Sequence, residues 1–219
     1  WLLTAQRHGG GTVCGVMNDR LLLAHDHRDH DLGSIDAMPL AAGGHSAFNI
    51  SNLAAAAIAA IALGVEPATI AEVFARFGSD PRDNTGRLMR YELGGLNLIV
   101  DFAHNPAALS GLVDFAQRLR GPGRLAMLLG QAGNREDADL GRLAAVAAAA
   151  RPDLVVLKEM SSYLRGRGAG EIPAILRRAL VHAGVADAAI VDVDGEDAAV
   201  RHALAWARAG DVLMLAVHT

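Results

Sequence analysis

The stretch LNLIVDFAHNPAALSGLV, residues 96–113, decides the fold. Its apolar run predicts a strand from Leu96 to Val100 that leads into Asp101, and Pro106 predicts the start of a helix over Ala107–Leu119. The same order of strand and helix recurs to the end of the chain. The further predicted strands are Leu125–Leu129, Leu154–Leu157, Ala189–Val193 and Val212–Val217, and the further helices are Glu136–Ala149, Glu171–Ala183 and Glu196–Ala207. This alternation predicts an α/β fold with a mainly parallel sheet and helices on both faces.

The first part of the chain follows a different pattern. Thr12–Met17 and Arg20–Ala24 flank Asn18-Asp19, which predicts a β-hairpin with a two-residue turn. The polar residues 25–31 (HDHRDHD) predict a solvated loop. The remaining predicted elements are helices over Ile50–Leu63 and from Pro67 to Phe77, a polar linker over 78–86 (GSDPRDNTG), and a hairpin of Leu88–Leu93 with Leu96–Val100.

Composition excludes several classes of protein. The 219 residues carry a net charge of -4 and a pI near 6.1, which leaves no general basic surface for nucleic acid. The longest apolar run, Leu53–Leu63, is too short to span a bilayer, and the first residues do not form a signal peptide. The single Cys14 fits a reducing compartment, so we expect a soluble, cytoplasmic protein with no membrane or nucleic-acid partner. Since the sequence opens at Trp1 without Met, we expect a fragment of a longer protein.

Lysine is nearly absent from the sequence. Of the 20 basic residues, Lys158 is the single Lys and the other 19 are Arg. A P-loop needs a Lys directly before Ser or Thr, whereas Lys158 is followed by Glu159. The sequence therefore contains no P-loop.

The residues that follow the strand at Asp101 are the first candidate site. Ligands of open α/β sheets bind beyond the carboxyl ends of the strands, next to helix N-termini that attract phosphate. Asp101 can accept hydrogen bonds from ribose hydroxyls there, and His104 can reach a phosphate. The alternative is that Asp101 and Asn105 only cap the helix.

Three further segments carry groups suited to ligand binding. Asn49 and Asn52 lie on one face of a helix start, where their amides can read a base or serve as caps. Arg165 and Arg167 form either a clamp for a carboxylate or phosphate or a solvated basic turn. The turn over 130–135 (GQAGNR) lacks the spacing of a dinucleotide loop but leaves backbone amides that can line a cleft.

Two other features favour ordinary structural interpretations. The His and Asp residues of 25–31 are suitable types of metal ligand, but their spacing matches neither the helical His pair of metalloproteases nor a Ca²⁺ loop. A solvated loop is therefore favoured over a metal site. Cys14 is favoured as a small core residue over a nucleophile.

Taken together, the motifs resemble the Mur ligase family, and within it cyanophycin synthetase and its relatives. The matching segments occur in family order, and the resemblance covers residues 40–219. They are Gly44-His45, residues 48–55 (FNISNLAA), 84–88 (NTGRL) and 101–106 (DFAHNP), with residues 130–135, 158–160 (KEM) and 163–167 (YLRGR) typical of the subgroup.

The resemblance implies an enzyme that uses ATP to join a carboxylate to an amine. The carboxylate is phosphorylated, and the amine then attacks the acyl phosphate with release of ADP and phosphate. Mg²⁺ and Arg side chains would stabilise the negative charge that builds up during both steps. The implied substrate is a small molecule, either an amino acid or a peptide.

The resemblance also implies roles for individual residues. Those that would contact ATP are Asn49 and Asn52 at the adenine, Arg87 at the phosphates or ribose, Asp101 at the ribose hydroxyls, and His104 and Asn105 at the phosphates. His104 and Arg87 are the candidate catalytic residues among them. The residues that would face the substrate are Lys158, Arg165 and Arg167. For Lys158 the alternative is a solvated surface side chain.

The sequence also departs from the family pattern. The family's P-loop, its Mg²⁺-binding Glu and His and its modified Lys are missing. The resemblance therefore implies that residues 1–80 are the end of the central ATPase domain and residues 81–219 the C-terminal Rossmann-like domain. The isolated chain should not turn over ATP; the N-terminal part of the ligase would be its partner, and assembly into a homo-oligomer stays open. The alternative is a non-catalytic α/β ligand-binding or interaction module derived from the same fold.

Overall fold

The computed structural model describes residues 10–80 and 82–218. These residues form two compact units that divide between Asn84 and Thr85. The boundary predicted at 80/81 lies in the same polar segment. The identity of the first unit as the end of a central ATPase domain stays a prediction.

The first unit is a three-stranded antiparallel sheet with two helices. Its elements are β1 (Val13–Met17), β2 (Arg20–His25), β3 (Arg28–Ser34), α1 (Ala47–Ala62) and α2 (Pro67–Phe74). The predicted hairpin is confirmed, because Asn18 and Asp19 have φ of 51° and 59° and β1 pairs with β2 directly across them. Two successive residues with positive φ form the turn type that matches the twist of a two-stranded ribbon.

The polar stretch 25–31 is not a solvated loop, and the prediction made for it is wrong. Asp26 and His27, with φ of 48° and 61°, form a second tight turn. The chain then returns as β3, which pairs with β2. Leu32 is the one buried side chain in β3, so this strand carries almost no apolar pattern. Its formation follows from the turn and from pairing with a better-buried neighbour.

One face of this small sheet is covered by the two helices. The buried core consists of Leu21, Leu23, Leu32, Met38, Ala41, Leu53, Ala57, Ile70 and Phe74. Cys14 is half-buried against this core, and burial raises the pKa of its thiol to about 11. Such a thiol stays protonated at neutral pH, which supports its assignment as a packing residue.

The second unit is a six-stranded sheet with four helices. The strands are β4 (Met89–Leu93), β5 (Leu96–Asp101), β6 (Leu125–Leu129), β7 (Leu154–Glu159), β8 (Ile190–Asp194) and β9 (Val212–Ala216), in the order β4-β5-β9-β6-β7-β8. The helices are α3 (Pro106–Arg120), α4 (Asp137–Ala149), α5 (Glu171–His182) and α6 (Glu196–Trp206). Only β4 runs antiparallel to its neighbour, so the predicted mainly parallel α/β sheet is confirmed. Predicted and observed ends lie within two residues of each other in this unit, whereas the helices of the first unit differ from their predictions by up to three residues at one end.

The order of the strands explains why helices cover both faces. The connections through α3, α4 and α5 run in one direction across the sheet, whereas α6 leads back from β8 to β9. Because parallel crossovers are right-handed, this reversal places α6 on the opposite face. Ala199 and Ala203 of α6 pack there against a buried cluster that includes Leu128, Val156 and Leu213. All five parallel strands therefore end at one edge of the sheet, the carboxyl edge.

The helices also bear on membrane association. None of those within residues 10–80 and 82–218 is long and apolar enough to cross a bilayer.

Candidate functional site at the carboxyl edge

Asp101 ends β5 and is 7% exposed. Its Oδ2 accepts a hydrogen bond of 2.7 Å from the amide of Leu88. Leu88 has φ of 45°, a conformation that L-residues rarely adopt, so the carboxylate holds a strained turn in place. Burial raises the pKa of Asp101 above its ordinary value, and amide hydrogen bonds from Leu88 and Ala103 oppose the rise. Asp101 thus fixes the position of the neighbouring Arg87 and does not cap α3.

Phe102 carries three ionisable side chains around its ring. The Arg87 guanidinium carbon lies 5.0 Å from the ring centroid, within the range of a cation–π contact. The rings of His104 and His218 lie 5.2 and 5.1 Å from the same centroid. We call Arg87, Phe102, His104 and His218 the Phe102 cluster. Sequence reasoning identified Arg87 and His104 but assigned no role to Phe102 or His218.

Asn105 is the N-cap of α3. Its Oδ1 accepts a hydrogen bond of 2.9 Å from the amide of Ala108, and Pro106 is the first residue of the helix. Asn105 therefore caps α3, as the alternative interpretation predicted, whereas Asp101 does not; a contact between Asn105 and a phosphate stays a prediction. A small pocket of about 70 Å³ opens beside this helix start, with His104, Asn105, Gln131 and Arg135 in its wall.

Arg135 is a residue in this wall that sequence reasoning did not assign. Its Nε is enclosed and has no hydrogen-bond partner among residues 10–80 and 82–218. An enclosed guanidinium N–H without a partner is costly unless a ligand or water accepts a hydrogen bond from it. Together with the N-terminus of α3, Arg135 makes the pocket suited to an anion, because the one carboxylate in the wall, Asp139, is paired with Arg142.

Lys158 is buried in the sheet, and the alternative of a solvated surface lysine is wrong. Its side chain is 0% exposed, and its Nζ donates a hydrogen bond to Glu196 Oε2 and another, of 2.8 Å, to the carbonyl oxygen of Ala216. Burial lowers the pKa of Lys158, and the pairing with Glu196 opposes that change. An ammonium enclosed in this way does not reach a substrate carboxylate, so the implied substrate contact has no geometric support. Glu196 lies 38 residues further along the chain, and no local pattern connects the two.

Arg167 is neither a solvated turn residue nor an open clamp. It donates hydrogen bonds to the carbonyl oxygens of Gly133 (3.0 Å) and Arg135 (2.7 Å). Salt bridges of 2.7 and 2.9 Å join it to Asp137 and Glu171. Arg167 therefore joins the loop after β6 to the loop after β7.

Arg165 differs from Arg167 in its surroundings. It is exposed, and its guanidinium carbon lies 5.6 Å from the centroid of the Tyr163 ring. The amide of Gly133, in the loop over 130–135, donates to Tyr163 O at 2.8 Å, so this amide binds the neighbouring loop and does not line a cleft. Arg165 is the arginine of the pair that stays accessible to a ligand.

Asn49 and Asn52 belong to the first unit and lie side by side, as their spacing predicts. Asn49 is buried, and its Nδ2 donates to Leu40 O at 3.1 Å. Asn52 is exposed and donates to Asn49 Oδ1 at 3.3 Å. Neither is the N-cap of α1, which is Ser46. The pair stabilises the turn before α1 and leaves the Asn52 amide at the surface.

A metal site would need several acidic, His or Cys side chains close together. Within residues 10–80 and 82–218 no group of three such side chains could hold a metal ion.

Comparison with protein families gives a match over most of the second unit. Residues 86–216 match the family described as "Mur ligase, glutamate ligase domain". Curated relatives include a cyanophycin synthetase of Synechocystis sp., 31% identical over 144 residues, and a UDP-N-acetylmuramoyl-L-alanyl-D-glutamate--2,6-diaminopimelate ligase of Corynebacterium efficiens, 32% identical over 181 residues. The matches cover 66% and 78% of this chain but 16% and 31% of those proteins. The chain thus spans a sixth to a third of the length of these relatives.

Solved structures show the same fold. FolC of E. coli in complex with ADP superimposes with a TM-score of 0.62 at 19% identity, over 93% of this chain and 42% of that one. A folylpolyglutamate synthase of Mycobacterium tuberculosis, complexed with ADP and AMPPCP, gives a TM-score of 0.59 at 19% identity, over 93% of this chain and 43% of that one.

Proposed function

This chain belongs to the Mur ligase family, and on that premise we propose that it is part of an ATP-dependent ligase that joins a carboxylate to an amine. The proposed reaction passes through an acyl phosphate, and the proposed substrate is an amino acid or peptide, as in a cyanophycin synthetase-like enzyme. The names of the curated relatives support this class of reaction. We further propose that residues 1–80 are the end of the ATPase domain and that the N-terminal part of the enzyme completes the site.

The observation that carries the proposal is the arrangement of Asp101 and Arg87 at the carboxyl edge. A buried carboxylate fixes the turn on which an exposed guanidinium lies over an aromatic ring. Asp101 keeps acceptor capacity beyond its amide hydrogen bonds, since a carboxylate has about four lone-pair positions. It can therefore accept hydrogen bonds from ribose hydroxyls, while Arg87 supplies positive charge to a phosphate.

The pocket at the start of α3 offers a second position for negative charge. Arg135 and His104 lie in its wall, and the positive end of the α3 dipole lies beside it. We assign the phosphate end of the nucleotide to this pocket. ATP, when bound, supplies the phosphoryl group that activates the carboxylate substrate. The part played by this chain is to hold and orient that group and to neutralise charge as it develops.

The amine-bearing substrate would meet the loops after β6 and β7. Arg165 is exposed there and can bind a substrate carboxylate. Arg167 holds the two loops together, and we assign it a structural part in forming that surface. Mg²⁺ would be held mostly by residues outside this chain.

Nucleotide binding by the longer protein that contains this chain tests the proposal. Arg87→Ala should weaken ADP binding about 10- to 100-fold, the effect of losing a hydrogen bond to a charged group. Arg90→Ala is the matched control, because Arg90 is also exposed but lies on β4, where its nearest hydrogen-bond partner is Asn97 at 3.5 Å. Its affinity for ADP should equal that of the unmodified protein.

Phosphate release provides the second measurement. In the longer protein, phosphate should be released from ATP only when a carboxylate substrate and an amine are both present. If calorimetry detects no nucleotide binding and no amino acid stimulates phosphate release, the ligase proposal is wrong. The non-catalytic α/β module would then be the better description.

A further inference from the structure

The Lys158 side chain crosses the strand next to its own and contacts the strand beyond it. It lies on β7, which pairs with β6, and its Nζ bonds to the carbonyl oxygen of Ala216 at the end of β9, on the far side of β6. Adjacent strands are about 4.8 Å apart, so the side chain spans the width of β6. Gly130 makes this path available, because a Cβ there would lie 2.5 Å from Lys158 Cγ and 2.9 Å from its Cε.

Glu196 pairs with Lys158 and also binds the residues that follow β9. It is the first residue of α6, and its Oε2 accepts hydrogen bonds from Lys158 and, at 2.8 Å, from the amide of His218. Lys158 therefore fixes Ala216, and Glu196 fixes His218, two residues further on. The end of β9 and the residues that follow it are held by one buried ion pair.

The segment held in this way is in contact with the Phe102 cluster. The His218 ring meets Phe102 edge to face, with an angle of 65° between the planes. The same Phe102 ring carries Arg87 and stands beside His104. A shift of His218 would therefore change the surface on which Arg87 is held.

Stability alone does not explain a buried ion pair at this position. Removing two charges from water offsets much of their attraction, so an apolar pair of similar volume would stabilise the sheet at least as well. What an apolar pair lacks is the directional hydrogen bonding to Ala216 O and the His218 amide. The gain from Lys158 and Glu196 is thus geometric.

We propose that Lys158 and Glu196 are positioning residues that set the Phe102 cluster by fixing residues 216–218, without contact to the substrate. The proposal rests on the proposed function, because the cluster includes Arg87 and His104 of the candidate nucleotide site. This role differs from the substrate contact that the resemblance implied for Lys158, because the enclosed ammonium contacts Glu196 and Ala216 and not the substrate.

The test uses Lys158→Met and Glu196→Gln in the longer protein that contains this chain. Hydrogen exchange of peptides that cover 212–218 and 99–104 should accelerate in Lys158→Met, and ADP should bind about tenfold more weakly, as expected for the loss of one charge-assisted contact. Asp211→Asn is the matched control. Asp211 forms a salt bridge of 2.5 Å with Arg124 and is equally buried, but it precedes β9 at the opposite edge of the sheet. It should lower the melting temperature and leave ADP affinity unchanged.

The double variant separates position from stability. Lys158→Met alone removes the cation that faces the largely enclosed Glu196 carboxylate, so adding Glu196→Gln should recover much of the lost melting temperature. The contact with Ala216 O stays absent, so ADP affinity should stay about tenfold weak. If affinity recovers together with stability, or if Lys158→Met binds ADP normally, the positioning role is wrong. If the unmodified protein binds no nucleotide, the proposed function fails, whereas unchanged exchange at 99–104 in Lys158→Met would overturn the positioning role by itself.

Discussion

Gly130→Ala should destabilise the second unit by about 1–3 kcal/mol, the usual range for overpacking a filled interior. Gly130 has an ordinary backbone conformation, so the substitution introduces no φ strain and its effect is steric. The added Cβ would lie 2.5 Å from Lys158 Cγ and 2.9 Å from the Lys158 carbonyl oxygen. That oxygen belongs to a paired strand, and the side chain is enclosed and held at its Nζ. Neither can move away without breaking other contacts.

The expected change in melting temperature follows from the size of the unit. It comprises 135 residues (85–219), and at about 2.1 cal/mol/K per residue its unfolding entropy is about 0.28 kcal/mol/K. A loss of about 1–3 kcal/mol therefore lowers the melting temperature by about 4–11 °C. Circular dichroism during heating measures the change in melting temperature, and urea titration measures the change in the free energy of unfolding.

Gly141→Ala provides a control of opposite sign. Gly141 lies within α4, and a Cβ there would meet no heavy atom within 4 Å apart from its chain neighbours and the nearby backbone of its own helix. Replacing a helical Gly by Ala should raise stability by about 0.5–1 kcal/mol. If Gly130→Ala melts within about 1 °C of the unmodified chain, then Lys158 does not fill the space above β6 and the steric reasoning is refuted.

Three further predictions concern other contacts. Burial opposes ionisation of Asp211, but hydrogen bonds, chiefly from Arg124, outweigh it and lower the pKa of Asp211. The ionised Asp211 therefore stabilises the folded state at pH values above its unfolded pKa, and this stabilisation is lost as the pH falls through the lower folded pKa. Asp211→Asn should therefore flatten the acid limb of stability below pH about 4 in urea titrations; an unchanged limb would contradict this. Burial lowers the pKa of His218 to about 4, so the free energy of unfolding should fall as pH decreases from about 6.5 to 4. His218→Gln should remove this pH dependence, and an imidazole that NMR shows to be protonated at pH 6 would contradict the prediction. Asn105→Ala should lower stability by about 1 kcal/mol through loss of the cap on Ala108, whereas Asn105→Ser should retain most of it.

The fold of the second unit could be predicted because its central strands are continuous apolar runs, which are recognisable in the sequence. Leu125–Leu129 is buried at every residue, and a short apolar run between two loops is typical of a strand that helices cover on both faces of a parallel sheet. The strand β3 was missed for the opposite reason. Its polar residues face solvent, and it exists because a two-residue turn returns it to β2, which hydropathy alone does not reveal.

The candidate site was predictable only where its residues are neighbours in sequence. The group from Asp101 to Asn105 lies on one strand end, so a local pattern was sufficient to place it. The burial of Lys158 depends on Glu196 and Ala216, which are 38 and 58 residues away. The engagement of Arg167 likewise depends on a loop more than thirty residues earlier. Interactions of this kind appear only after the strands have been brought together.

The burial of Lys158 has a practical consequence for measuring the molecule. It is the only side-chain amine in the 219 residues, and the fold encloses it completely. Acylating reagents need an accessible, uncharged amine, so they can modify this side chain only when the carboxyl edge opens. The rate of covalent labelling at one position, read by mass spectrometry, therefore reports how often the end of β9 separates from its neighbours.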